Sequence, residues 1–436
     1  MSELAESPLA AGDRNFSVAE ARAAIAAGIA QAGQPGHAAQ RVPLMQALGR
    51  VLAADVVSPI DVPAHDNSAM DGYAFAASDL QAAGPTVLQV TGTVMAGAPH
   101  AGRLAPGQTL RIMTGAVMPE GLDTIVPHEL CRVDGLQVHI EAGTVRAGDN
   151  RRLRGEDLAI GRAALLAGRL LKPADLGLIA SLGLTSVAVR RKLRVALFST
   201  GNELRDGGQA LAPGCIYDSN RYSLMGALQR LEMEVIDLGL VPDEPAALRA
   251  ALDTAVAQAD AVLTSGGVSM GDADHVRELL AQMGEVAFWK VAMRPGRPFA
   301  FGPLRGLERP AEAQRPVWLF ALPGNPVAAL VTFYVFARDA LLQLAGATPQ
   351  PLPVLRARCT TAIRKRPGRT EFQRAVVEPA PASASDSGWQ VRLTGSQGAG
   401  VLRSMSEANA LLVLGHAQGS VAAGEQVDVW LFDGLV

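Results

Sequence analysis

The chain has 436 residues, which at roughly 150 residues per domain make two to four domains, each long enough to bury a core. Lysine and arginine total 39 against 42 aspartates and glutamates, a net charge of -3, which excludes the basic excess typical of nucleic-acid-binding domains. Apolar residues make up 49% and charged residues 19%, a globular composition that excludes extended disorder.

The longest apolar stretch, Pro326 to Ala337, is too short to cross a bilayer and runs into Arg338 and Asp339, so no membrane partner is expected. The N-terminal residues lack a basic segment followed by an apolar one, so no signal peptide is expected. Cys131, Cys215 and Cys359 lie far apart with no CxxC, and the histidines show no HxxxH spacing. A disulfide framework and a structural zinc site are therefore not expected, and the cytoplasm is the expected compartment.

In chain order, a first helix is predicted from Ser17 to about Gln31, opened by a Ser17/Glu20 capping box with Val18, Ala21, Ile25 and Ile29 near one face. From Val87 to Val145 short β-branched segments alternate with Gly, Pro and Asp turns, the pattern of a small β-rich domain. Pro173 and Asp175 start a further helical piece. From Lys192 strands are predicted at Arg194–Ser199, Glu234–Leu238, Ala261–Thr264, Val286–Val291 and Val317–Ala321. Between and after them, helices fit Asn220–Leu231, Pro245–Gln258, Asp274–Met283 and Pro326–Leu344. Such alternation predicts a doubly wound, mostly parallel sheet covered on both faces. A linker from Ala347 to Pro353 leads into a small all-β domain, with a loop tip at Ala382–Gly388.

Ligands of open α/β sheets bind beyond the carboxyl ends of the strands, near a topological switch point. Three glycine-bearing turns fall there: Ser199-Thr-Gly-Asn-Glu203, Thr264-Ser-Gly-Gly-Val-Ser269 and Leu322-Pro-Gly-Asn-Pro326. Glycine permits close backbone approach, and the helix N-termini that follow are expected to present free N–H groups to an anion. Together the turns predict phosphate or nucleotide binding. Gly267-Val-Ser-Met-Gly271 also matches the nucleophile elbow of serine hydrolases, but only His275 and His416 follow it, neither well placed for a triad. Ser269 is better read as an anion-contacting hydroxyl.

Glu203, Asp243 and Asp274 stand where strands give way to helices and can converge on one cleft, where Mg²⁺ takes carboxylates plus substrate phosphates. The plain alternative for Asp243 and Asp274 is helix capping. Lys290 and Arg294 sit near the end of an apolar strand, where cations serve an oxyanion or solvate an edge.

At this point motifs carry a resemblance. Asp66-Asn-Ser-Ala-Met-Asp-Gly-Tyr-Ala74, Ile112-Met-Thr-Gly-Ala116, Arg152-Leu-Arg-Gly-Glu-Asp157, Phe198-Ser-Thr-Gly-Asn-Glu203, Ser265-Gly-Gly-Val-Ser269 and Leu322-Pro-Gly-Asn-Pro326 occur in one order. That set resembles the MoeA family, the molybdopterin molybdenumtransferases, to which the gephyrin E domain is related. The resemblance implies an elongated homodimer of four-domain subunits. The implied units are a discontinuous helical or linker domain (15–54 and 158–190), a β-rich domain (55–157), an α/β domain similar to the adenylyltransferase MogA (191–347) and a C-terminal β-barrel-like domain (348–436).

The implied reaction joins adenylylated molybdopterin and molybdate to give molybdenum cofactor and AMP, with Mg²⁺ or another divalent cation assisting. A cysteine-poor enzyme is compatible with this, because the pterin's own dithiolene supplies the soft sulfurs molybdenum needs. By motif, Glu203, Asp243 and Asp274 would hold nucleotide phosphates and metal, with Lys290 and Arg294 handling oxyanion charge. Ser265, Gly266, Gly267, Ser269, Pro323, Gly324, Asn325 and Pro326 would line the substrate. Asp71, Thr114, Arg151 and Asp157 would come from the second subunit, and Arg374 would help hold molybdate. Two positions depart from many members: Arg294 stands for a lysine, and Ala399 for a serine of the Gln-Gly-Ser element. The resemblance also implies transient contact with the adenylyltransferase and with acceptor molybdoenzymes. Two other functions fit parts of the chain: a molybdopterin adenylyltransferase, which leaves the β-rich and C-terminal domains unexplained, and a non-catalytic scaffold, which has no need of the charged loop residues.

Overall fold

The computed structural model describes residues 15–32, 38–267, 279–280, 282–304, 316–381 and 388–436. Its centre is a seven-stranded sheet in the order Asn15–Phe16, Ala287–Val291, Pro298–Leu304, Val317–Leu322, Ala261–Ser265, Arg194–Thr200, Glu234–Val241. The last four run parallel, and Pro298–Leu304 alone is antiparallel to its neighbours. Successive side chains of one strand enter different cores. Val195 and Leu197 pack with helices Asn220–Arg230 and Val18–Gln31, whereas Ala196 and Phe198 pack with helix Pro245–Gln258. Burial on both faces explains why these strands read as apolar runs rather than alternations.

The expected doubly wound arrangement is present, with two strands that the sequence reading lacked. Asn15–Phe16 adds to the sheet edge beside Ala287–Val291, and Pro298–Leu304 returns between that strand and Val317–Leu322. The first helix has its capping box: Glu20 N–H donates to Ser17 Oγ (3.2 Å), and Ser17 N–H donates to the Glu20 carboxylate (2.9 Å). It packs beside the last helix of the α/β body, and Arg22 pairs with Asp339 there. Helix Pro326–Leu344 is long and apolar enough to cross a membrane by length and composition, but most of it is buried inside the protein. Its apolar surface is core.

Residues 39–57 and 163–190 come together as a small unit. Ala39–Pro43 pairs with Ser186–Arg190 and Val56–Val57 with Ala163–Leu165, around Leu52, Leu171, Ile179 and Val189. This unit holds one nine-residue helix, Pro173–Ser181, and is otherwise built from strand pairs. Between its segments lies a six-stranded sheet that begins at Gly72, earlier than expected, and includes Thr86–Val94, Gln108–Ile112, Thr124–Pro127, Arg132–Asp134 and Gln137–Ile140.

After Leu344 the chain forms a C-terminal barrel. Thr370–Pro379 pairs with both Trp389–Leu393 and Ala410–Leu414, so the sheet closes on itself and has no free edge at that seam. Met293–Arg294, from the α/β body, pairs in parallel with Thr370 and Glu371 of this barrel. That pairing fixes the two units against each other beside the turns described next. Of the expected helix Asp274–Met283 only the end is described, and it is helical; most of the loop tip at Ala382–Gly388 lies outside the described residues.

Candidate functional site

The switch point of the sheet lies at strand Arg194–Thr200. Its connection through helix Asn220–Arg230 leads to Glu234–Val241 on one side, and the next connection, through helix Pro245–Gln258, leads to Ala261–Ser265 on the other. The three glycine turns converge there. Gly266 donates its N–H to Leu322 O (3.1 Å) and has φ +95°, and any Cβ on it would collide with the carbonyl oxygen of Thr200. Only glycine lets the first and second turns touch in this way. A Cβ on Gly324 would lie 3.8 Å from Gly266 Cα, so the third turn is adjacent to the second.

Glu203 folds its carboxylate back over Gly201 in the first turn. Asp243 joins the same place, its N–H donating to Asn202 Oδ1 (3.3 Å). The residue that caps helix Pro245–Gln258 by position is Glu244, with no side-chain capping bond, so Asp243 is not that helix's cap. The residue is exposed, and its backbone is tied to Asn202 in Glu203's turn. Asp274 and Ser269 lie outside the described residues. On the other face of the sheet, beneath Gly266 and Gly267, Phe198, Leu248, Leu252 and Leu279 line an apolar pocket.

The expectation that helix N-termini offer free N–H groups needs correction at two of the three helices; the start of the helix after the second turn lies outside the described residues. At helix Asn220–Arg230, the N–H groups of Asn220 and Arg221 both donate to Asp218 Oδ1 (3.1 and 3.2 Å). At the helix beginning at Pro326, Val327 N–H donates to the carbonyl of Ala399 (3.0 Å). Buried N-terminal donors are costly when left unmade, and the fold supplies acceptors from its own chain. Those N–H groups are therefore not free to receive an anion.

One of the expected cations, Arg374, comes from the barrel, and another, Arg294, from the α/β body where it docks on the barrel. Arg374 is 1% exposed; its Nε donates to Ser404 Oγ (3.0 Å) and one Nη to the carbonyls of Gly398 (3.0 Å) and Ser396 (3.4 Å). Burial first, and then the nearby charge of Arg294, pull its pKa down to about 10. Neither arginine makes an ion pair with the described residues; the buried Glu371, in register with Arg294, is held by Arg369 and Gln373 instead. The loop that Arg374 holds, Ser396 to Gly400, is the one whose Ala399 carbonyl meets Val327, beside Asn325 and Pro326. A chain of contacts links these residues: Glu203 lies over Gly201, Asp243 N–H meets Asn202, Gly266 touches Thr200 and Gly324, Ser265 reaches Pro323, and Val327 meets the Ala399 carbonyl of the loop held by Arg374, beside Arg294. Lys290 lies farther along the sheet, in register with Asn15.

Asp71, Thr114, Arg151 and Asp157 are all in the β-rich unit, where Asp71 and Thr114 meet each other and Arg151 and Asp157 have other partners. Asp71 Oδ1 accepts from both the N–H and the Oγ of Thr114 (2.7 Å each), and these bonds hold its carboxyl below the usual range. Arg151 reaches Asp66 (3.6 Å) and pairs in register with Ser68, while Asp157 N–H donates to Val62 O. Arg151 Nε and Asn67 Oδ1, on these paired strands, are buried without hydrogen-bond partners among the described residues.

Sequence reasoning missed the buried polar floor under the turns: Asp218, Asn220 and Arg221. Its signal was Tyr217-Asp-Ser-Asn-Arg221 at a predicted helix start, with an acidic residue placed to receive the first N–H groups.

Three family models match the chain in order. They are the MoeA N-terminal region (domain I and II) over residues 16–183, a probable molybdopterin binding domain over 196–343 and the MoeA C-terminal region (domain IV) over 356–432. A molybdopterin molybdenumtransferase of Haemophilus influenzae is 39% identical over 401 residues, covering 90% of this chain and 94% of that protein. A molybdopterin molybdenumtransferase 2 of Mycobacterium tuberculosis is 38% identical, covering 89% and 94%. The crystal structure of a molybdopterin biosynthesis moeA protein from Pyrococcus horikoshii superposes with a TM-score of 0.77 at 26% identity, covering 96% of this chain and all of that one.

Proposed function

The chain belongs to the molybdopterin molybdenumtransferase family, and from that premise we propose that it inserts molybdenum from molybdate into adenylylated molybdopterin and releases AMP. It is a transferase of molybdenum cofactor biosynthesis. The observation that supports the finer reading is that the chain of contacts joins the carboxylate-bearing first glycine turn to the loop held by the buried Arg374, with Arg294 beside it. A nucleotide phosphate and a tetrahedral oxyanion are the two charged groups that such an arrangement suits, one at each end.

The donor set at the first turn fits a hard divalent cation. Among the described residues no three metal-binding side chains cluster, but Mg²⁺ commonly takes one or two carboxylates and completes its shell with phosphate oxygens and water. Glu203 and Asp243 would hold it, with Asp274 as the third carboxylate by motif. When bound, the cation neutralises phosphate charge that the acidic loop otherwise repels. The chain's own residues do the rest. The backbone of Gly266, Gly267 and Gly324 admits the ligand closely, Pro323, Asn325 and Pro326 shape the third turn, and Ser269 would add a hydroxyl by motif. Arg374, held by Ser404 and two carbonyls, would present a fixed guanidinium to molybdate, aided by Arg294 and Lys290.

Asp71, Thr114, Arg151 and Asp157 would complete the cleft from the second subunit of a homodimer. Exposed Ile216, Tyr217 and Tyr222 on the α/β body and Met45 and Leu48 on the small unit support a further covered surface. The cytoplasm is the proposed compartment, with transient transfer from the adenylyltransferase and to acceptor molybdoenzymes. One experiment separates this reading from adenylyl transfer. Supplied with molybdopterin and ATP alone, the protein should release no pyrophosphate; supplied with adenylylated molybdopterin and molybdate, it should release AMP. Pyrophosphate release in the first mixture would favour the adenylyltransferase.

A further inference from the structure

We infer that Asn220 and Asp218 act as a positioning clamp that holds the three glycine turns in register, and that Asn220 thereby sets how tightly the nucleotide end of the substrate binds. The binding half of this inference rests on the reading of the turns as the adenylate site; the clamp itself does not.

Asp218 has a side chain only 1% exposed. Its Oδ1 accepts from Ser199 Oγ (3.1 Å), at the end of the first strand, and from the N–H groups of Asn220 and Arg221; its Oδ2 accepts from Arg221 Nε (3.2 Å). Arg221 also pairs with Asp237 (2.6 Å) and Asp206, so the carboxylate is anchored from behind. Two residues on, Asn220 gives its amide hydrogens to Ser265 Oγ (2.6 Å) and to Gly324 O (2.7 Å). The orientation of that amide is fixed chemically, because the Gly324 carbonyl can only accept and the nitrogen must face it. One side chain therefore bridges the second and third turns, and its neighbour bridges the helix start to the first.

Asn220 Oδ1 is left buried without a hydrogen-bond partner among the described residues, as is Thr200 Oγ1 in the first turn. An orphaned acceptor destabilises the fold, so a residue chosen for stability alone would not leave one. What asparagine supplies here is two donors from one short side chain. Serine offers one donor and aspartate none. Register matters because the turns already touch, and displacement of a binding group by about 1 Å can cost about a hundredfold.

The test compares wild type with Asn220→Ala and Asn220→Asp, without ligand and then with AMP or molybdate as probes. Hydrogen exchange without ligand should rise together at Gly201–Glu203, Gly266–Gly267 and Gly324–Asn325 in the alanine variant, and at Gly324–Asn325 in both, while strand Val317–Leu322 stays protected. The AMP dissociation constant should rise by about tenfold or more, with molybdate binding within about twofold of wild type. Aspartate keeps the shape but has no donor for the Gly324 carbonyl, so the third turn should be released as it is in alanine, whereas Ser265 Oγ can still donate to the new carboxylate. An Asn220→Asp protein that exchanges and binds like wild type overturns the clamp, as does faster exchange confined to helix Asn220–Arg230. Should wild type bind no AMP, the adenylate reading fails, and the exchange data still decide the clamp.

Discussion

Arg374 and Ala399 show how two residues can share a site by different means. Arg374 is buried, lacks a carboxylate partner among the described residues, and is pushed below its ordinary pKa by burial and by Arg294. An oxyanion is what would relieve that arrangement. Its proposed binding role comes by motif alone; that it holds the Ser396 to Gly400 loop was not legible, because the contact forms only once the barrel has folded. Ala399 contributes a carbonyl to Val327, a role that any residue there would fill. By the resemblance, a serine hydroxyl at this position would add a donor for molybdate. A hydrogen bond to a charged group contributes ~1.5–3 kcal/mol, so Ala399→Ser should strengthen molybdate binding by roughly tenfold to a hundredfold. Titrating molybdate at fixed adenylylated pterin should show a lower half-maximal concentration, with pterin affinity unchanged. An unchanged midpoint would mean that this position does not face molybdate.

The elements that the sequence revealed are those whose local signals and packing agree. Helix Val18–Gln31 carries its own capping box, and the strands Arg194–Thr200, Ala261–Ser265 and Val317–Leu322 are apolar on both faces. Strand Pro298–Leu304 was illegible because it opens with proline and carries glycine and a second proline, residues that argue against a strand until its two neighbours are known. The polar floor was illegible for a related reason: Asn220 meets Ser265 and Gly324 only after three loops have converged. The second turn offers the sharpest element-scale prediction. Gly266→Ala places a Cβ against the Thr200 carbonyl at a left-handed φ, so the first and second turns must separate. AMP binding should fall by about a hundredfold, on the scale of about a 1 Å misplacement, with the barrel's molybdate end less affected. Calorimetric titration of AMP and of molybdate into the variant checks both halves.

At the scale of the molecule, the β-rich unit holds Asp71, Thr114 and Arg151 around one strand pair, on a sheet separate from the one that carries Glu203. Under the proposed function, a cleft shared between the subunits of a homodimer would bring the two groups together. Mixing Asp71→Ala subunits with Glu203→Ala subunits should then restore activity in mixed dimers, each of which keeps one intact cleft. Complementation failing in confirmed mixed dimers would place both groups in one subunit's site. The order of the domains could be read from motifs, whereas the docking of Met293–Arg294 onto the barrel could not, since a two-residue strand leaves no pattern. The most direct test of the whole account is the release of AMP from adenylylated molybdopterin by the purified protein, followed as molybdate is added. AMP and active molybdenum cofactor should appear together in equal amounts, and both should depend on molybdate. Cofactor-free AMP release that ignores molybdate, or no turnover with intact substrate and divalent cation present, would contradict the account.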